Sequence, residues 1–144
     1  MNKHSIQTIY KSEGGPTTIK LETFEGDLSQ NVETEIPAGA IDKEVDVSIP
    51  FAGILGYAFG CSRKTGDGGT FGSLTVKTNS KTSPDSTFTI SATNGKSWSL
   101  GDGIAANTIT SDITKVFVTN DEVAGNPNTA VANLTIRALN DITP

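Results

Sequence analysis

With 144 residues, 35% of them apolar and 19% charged, the chain is long enough to bury a core without disulfides and fits one domain over residues 1–144. A net charge of −5 and a pI of about 4.7, with eleven Lys and Arg scattered along the chain, leave no basic stripe for phosphates and argue against direct nucleic-acid binding. One histidine and one cysteine are too few for a zinc site or an intrachain disulfide.

The N-terminal Met1-Asn2-Lys3-His4-Ser5 is followed by no apolar run, and no stretch approaches the roughly 18 apolar residues of a membrane-spanning helix. Neither a signal peptide nor a membrane span is expected. Ser5 to Tyr10 reads as a first strand, closed by a turn at Glu13-Gly14-Gly15-Pro16. Thr17 to Glu25 follows, with Ile19 and Leu21 on one face. The Gly26-Asp27 turn then leads to Gln30 to Ile36, where Val32, Thr34 and Ile36 alternate with Glu33 and Glu35. This pair predicts a hairpin with an acidic outer face, ended by Pro37-Ala38-Gly39.

The strongest periodicity runs from Val45 to Cys61. Val45, Val47, Ile49 and Phe51 alternate with polar residues, and after Pro50 and Gly53 the period of two resumes as Leu55, Tyr57, Phe59 and Cys61. Two adjoining strands or one bent strand are implied, with Val45, Val47, Ile49, Phe51, Leu55, Tyr57 and Phe59 in the core. The opposite face, Ile54, Gly56, Ala58 and Gly60, is small enough to predict a close neighbour. Cys61, on the apolar face, reads as an inert buried thiol.

Arg63 to Gly69 is a polar, glycine-rich loop. Ser73 to Thr78, with Leu74 and Val76 inward, and Thr87 to Ala92, with Phe88, Ile90 and Ala92 inward, are the next two strands. Asn94-Gly95 marks a tight turn before a short strand at Trp98 and Leu100. Gly101-Asp102-Gly103 to Asn107 is loop. Ile113 to Thr119 and Ala130 to Leu139 close the domain on either side of a turn over Asn120 to Asn128. About nine or ten short strands with no helical periodicity, in a chain with 43 Ser, Thr and Asn residues, predict an all-β fold: a single antiparallel β-sandwich, jelly-roll-like, with an immunoglobulin-type sandwich as the competing connectivity.

No catalytic constellation emerges. His4 is the sole histidine, and neither Ser nor Cys sits in a nucleophile-elbow pattern. Among sixteen Asp and Glu, those at Glu22, Glu33, Glu35 and Asp46 fall on solvent faces, where they serve solubility and edge protection. Gly66-Asp67-Gly68-Gly69 and Gly101-Asp102-Gly103 could offer oxygens to calcium, but neither matches an EF-hand loop or a nine-residue calcium repeat. The chain is therefore read as a non-enzyme with no catalytic, cofactor-binding or metal residues. Trp98, the only tryptophan, reads as core, although with Tyr57 or Tyr10 it could also form a sugar-stacking platform.

The segments Leu74-Thr75-Val76-Lys77-Thr78-Asn79-Ser80 and Pro84-Asp85-Ser86-Thr87-Phe88-Thr89-Ile90, with Trp98, resemble a pattern in small β-sandwich structural, capsid-associated proteins of bacteriophages. Ile36-Pro37-Ala38-Gly39 is similar to their pre-strand turn. Asp112 to Asn120, and Leu134-Thr135-Ile136-Arg137 with Asp141 to Pro144, resemble their last two strands. The likeness covers Ile36 to Pro144, about three quarters of the chain, and carries over no site residues. It implies a bacteriophage virion structural protein (capsid, minor capsid or decoration component), assembled in the host bacterial cytoplasm and resident in the virion. Its partners would be copies of itself, as a trimer or pentamer, and other virion proteins. The alternative is a carbohydrate-binding β-sandwich module on a phage fibre or spike.

Overall fold

The computed structural model describes residues 2–11, 17–26, 28–66, 71–99, 107–120 and 130–141, with residues before 30 and residue 99 described as backbone. The turns expected at Glu13 to Pro16 and Asn120 to Asn128, the strand residue Leu100, and the loop residues Asp67 to Gly69 and Gly101 to Gly103 lie wholly or largely outside the described residues. Ten strands are present among the described residues: β1 (Asn2–Lys11), β2 (Thr17–Gly26), β3 (Leu28–Ile36), β4 (Lys43–Ile49), β5 (Ile54–Arg63), β6 (Ser73–Thr78), β7 (Thr87–Ser91), β8 (Lys96–Ser99), β9 (Ile113–Thr119) and β10 (Ala132–Asn140). Strands β1 and β2 form a two-stranded sheet. The other eight form two antiparallel four-stranded sheets, in the orders β3-β10-β5-β8 and β4-β9-β6-β7.

That order resolves the connectivity. From β3 to β6 the chain changes sheet at every step; of the eight sandwich strands, β6 and β7 alone are consecutive neighbours within one sheet, and from β7 to β10 the chain alternates again. Strands distant in sequence thereby become neighbours, β10 between β3 and β5, and β9 between β4 and β6. This is the double Greek key of an eight-stranded jelly roll rather than an immunoglobulin arrangement.

The inner faces follow from alternation. Val45, Val47 and Ile49 of β4 point inward while Glu44, Asp46 and Ser48 face solvent, and Leu74, Val76 and Thr78 do the same on β6. They meet Tyr57 and Phe59 of β5, Val116 and Val118 of β9, and Leu134 and Ile136 of β10 in one core. Glu33 and Glu35 are exposed on the outer face of β3, with Val32 and Ile36 inward.

The structure corrects several expectations. The Gly26-Asp27 link does not make a hairpin: β2 pairs with β1, and β3 pairs with β10 from Ala132↔Ile36 to Asn140↔Leu28. One residue between β2 and β3 is too short to reverse the chain into its own ladder, since the tightest common hairpins need two. Phe51 is 45% exposed, because β4 stops at Ile49 and the chain leaves the sheet at Pro50. The Phe51 N–H donates instead to Asp112 Oδ1 at 2.7 Å. Leu55 is only half-buried and Ile54 takes the inward place. The ladder steps from Leu139↔Gly56 to Asn140↔Ile54, so Leu55 is the extra residue of a β-bulge that resets the alternation. Ala92 lies past the end of β7 and is exposed. The small-residue face of β5 is covered at Ile54 and Gly56, which are buried, and opens beyond them: Ala58 is exposed, and a Cβ on Gly60 would meet nothing within 4 Å.

The sheet-changing arches are clamped by two buried asparagines. Asn120, at the end of β9, donates through Nδ2 to the carbonyls of Ile36, Pro37 and Ala130 at 3.2, 3.3 and 2.9 Å, while its backbone bonds Gly39 and Ala40. Asn140, at the end of β10, donates to Pro50 O at 2.7 Å and Ala52 O at 3.1 Å. A carbonyl buried in an arch has no ladder partner, so a side-chain amide supplies the missing donor.

Candidate functional site

Three features of the sandwich could carry function: an aromatic group at one sheet margin, the thiol of Cys61, and the exposed edges and arches. The aromatic group follows from register. Tyr57 on β5 lies opposite Trp98 on β8, so both rings occupy the same face and stack at 6.0 Å with 27° between planes. Phe59, two residues on, meets Tyr57 edge-on at 5.9 Å and Phe88 of the facing sheet at 5.1 Å. Lys96 lies 5.9 Å from the Phe88 ring centroid and donates to Thr108 Oγ1 at 2.7 Å.

Tyr57 is 3% exposed, and its hydroxyl donates to Asn107 Oδ1 at 3.0 Å, the same oxygen that accepts the Ile109 N–H. Burial raises its phenol above the ordinary value, and a hydrogen bond with the Thr108 side chain offsets part of that rise. Trp98 is half-buried and packs against the core. A sugar platform needs coplanar exposed rings. Here Tyr57 is inside, and Trp98 has one face covered by it. Tyr10, the third aromatic considered, lies on β1 opposite Thr18.

Cys61 is half-buried, and burial pushes its thiol up to about 11 from an ordinary 9.0. The native thiol is neutral at physiological pH and a poor nucleophile, as read from sequence. Because the folded value is the higher one, the unfolded chain loses its proton first as pH rises. This contribution to stability is intact below about pH 9 and is lost as pH rises through about 11. Cys61→Ser should therefore flatten the decline in urea midpoint between these pH values relative to wild type. An identical decline in the two proteins would show that the thiol is as free to ionise in the fold as in the unfolded chain.

No group of three or more His, Cys, Asp or Glu side chains able to hold a metal ion occurs among the described residues. His4 lies on β1 opposite Phe24. Glu33, Glu35 and Asp46 are exposed as expected, and the first two pair with Arg137 at 3.7 Å and Lys64 at 3.0 Å. Exposed pairs of this kind contribute about 0–1 kcal/mol each. Glu44 pairs with Lys115 across β4 and β9, and the bond raises the Lys115 ammonium above its ordinary value.

Among the described residues two large apolar side chains are exposed, Ile41 at 70% and Phe51 at 45%, on the arches at the two ends of β4. Phe51 continues an apolar alternation and is expected inside, and Ile41 lies in the connection between β3 and β4. A hydrophobic residue beside Pro37-Ala38-Gly39 was the available signal for Ile41, and Pro50 was the signal for Phe51. Compared with the models of known families and with curated proteins, the sequence matches none.

Proposed function

We propose that the chain is a bacteriophage virion structural protein, a capsid, minor capsid or decoration component, that acts by making interfaces and turns over no substrate. The observation that carries this reading is the strand order β3-β10-β5-β8 facing β4-β9-β6-β7. That jelly roll is the architecture of viral capsid domains, shared with lectin domains and cupins. A fold alone does not choose among these, and the choice rests on the resemblance over Ile36 to Pro144. Copies would close around a three-fold or five-fold axis through interfaces of at least about 1,000 Å² each, with other virion proteins as further partners.

The test is the composition of purified particles. Mass spectrometry should find the chain in the virion, and image reconstruction should place it in symmetric contact with its neighbours. Absence from the particle sinks the reading. The carbohydrate-binding alternative draws on one observation, the half-buried Trp98 ring on edge strand β8 beside Lys96. It predicts location at a fibre tip and glycan binding that Trp98→Ala abolishes.

A further inference from the structure

Asn94 is the one asparagine of the chain that is followed by a glycine. Asn94 and Gly95 are exposed and lie in the link from β7 to β8, where the chain crosses from one sheet to the other. The glycine is there for room rather than for a left-handed turn. Neither residue has a positive φ, so this is not the hairpin turn that Asn-Gly commonly makes, but a Cβ on Gly95 would stand 2.7 Å from Phe59 O. A side chain at this position would push the link off β5. The fold thus keeps beside Asn94 the residue that leaves its own main-chain nitrogen most open to reaction.

The other asparagines with described side chains are either held or crowded. Asn79 donates to Asp85 Oδ2 and Asp112 O, both at 2.7 Å, and accepts the Thr114 N–H at 2.9 Å, while the Ser80 N–H that follows it goes to Thr78 O. Asn107 Oδ1 accepts from Tyr57 and Ile109, and Asn120 and Asn140 clamp the arch carbonyls. Asn31 and Asn133 stand in β3 and β10 before Val32 and Leu134, whose branched side chains crowd their own amide nitrogens. Asn94 has neither restraint. Its backbone is bonded to Ser91, the N–H to Ser91 Oγ at 3.2 Å and the carbonyl to the Ser91 N–H at 2.8 Å, but among the described residues no hydrogen bond holds its carboxamide or the Gly95 N–H.

We propose that Asn94 is a self-modification site, at which the chain converts the asparagine to an isoaspartyl linkage with water as the only co-reactant. The Gly95 nitrogen attacks Asn94 Cγ; the N–Cγ bond forms, the Cγ–Nδ2 bond breaks, and the side-chain nitrogen leaves with the displaced proton as ammonia. Water then adds to one carbonyl of the five-membered succinimide. Opening at Cγ gives aspartate, whereas opening at the main-chain carbonyl gives isoaspartate, with the backbone rerouted through Cβ and Cγ and a free α-carboxylate. The rerouted chain is longer by one carbon–carbon bond, about 1.5 Å. A link bonded to Ser91 on one side and packed against Phe59 O on the other has no slack for it, so the Ser91–Asn94 bonds give way. This chemistry does not depend on the protein being part of a virion.

The test is peptide mapping of the purified full chain held in warm, mildly alkaline buffer. Asn94 should lose its amide before any other asparagine, and its peptide should become a substrate for an isoaspartyl methyltransferase. The isoaspartyl form, separated by ion exchange, should melt about 2–4 °C below the amide form, as loss of one turn hydrogen bond implies. Asn94→Gln, whose longer side chain would have to close a six-membered ring, should keep its amide and its melting temperature through the same incubation. A synthetic peptide spanning Ser91 to Trp98 sets the rate of the unconstrained link. An Asn94 that keeps its amide in the folded chain after that peptide has converted, or that loses it later than Asn79 or Asn107, overturns the proposal. Conversion to aspartate with no methyltransferase label overturns it as well, and equal melting of the two forms overturns the claim that the link is taut.

Discussion

Gly53→Ala should destabilise the protein by more than about 3 kcal/mol, the largest effect expected of adding one methyl group anywhere among the described residues. Two independent costs coincide there. Gly53 has φ +69°, where an L-residue pays about 1–2 kcal/mol, and the added Cβ would stand 1.9 Å from Asp141 O and 2.8 Å from Asp141 C. Those are backbone atoms, so no side chain can rotate out of the way. The contact is also held shut, because the Asp141 N–H donates to Gly53 O at 2.7 Å and Asn140 clamps Pro50 and Ala52 beside it. Relief means lifting the β4–β5 arch off the end of β10 and losing all three bonds. Gly39→Ala is the control: its φ is +74°, but nothing lies within 4 Å of the new Cβ, so it should cost only the conformational term. Urea denaturation of the two variants separates the contributions. Equal midpoints would mean that the arch and the β10 terminus do not touch as described.

The same arch shows what could be read from sequence and what could not. Val45, Val47 and Ile49, or Leu74 and Val76, declare their buried face because each strand is regular and a one-residue slip would expose the whole set. Period two identifies faces and says nothing of partners. It could not show that β3 belongs with β10, more than ninety positions on, or that the Val45 to Cys61 run is divided between opposite sheets. It also fails wherever a residue is inserted, as Leu55 shows, and wherever an alternation runs past the end of its strand, as Phe51 shows. Asn94-Gly95 was legible as a turn, yet it links β7 and β8 across the sheets. There a Cβ on Gly95 would come 2.7 Å from Phe59 O, a tertiary demand that the dipeptide signal does not contain. For the candidate surfaces, the neutrality of Thr87 to Ser91 was plain in the sequence. That this stretch is a sheet edge required the topology.

Phe59→Ala should cost about 3–5 kcal/mol, whereas Phe51→Ala should stay within about 0.5 kcal/mol. The two phenylalanines stand eight positions apart in the same alternating run and look equivalent in sequence. In the fold Phe59 is 1% exposed on β5, opposite Ile136 of β10, with its ring between Tyr57 of its own sheet and Phe88 of the facing one. Removing it opens a cavity where the two sheets meet and strips both rings of their edge-to-face partner. Close-packed strands on either side cannot collapse to fill that space. Phe51, at 45% exposure, loses little contact when truncated. A double variant tests the packing itself: Phe59→Ala with Phe88→Ala should cost less than the sum of the single changes by about 0.5–1.5 kcal/mol, the worth of a direct aromatic pair. Strict additivity would mean that the rings do not meet. A Phe51→Ala variant as unstable as Phe59→Ala would return Phe51 to the interior and undo the assignment of Pro50 as the point where the chain leaves its sheet.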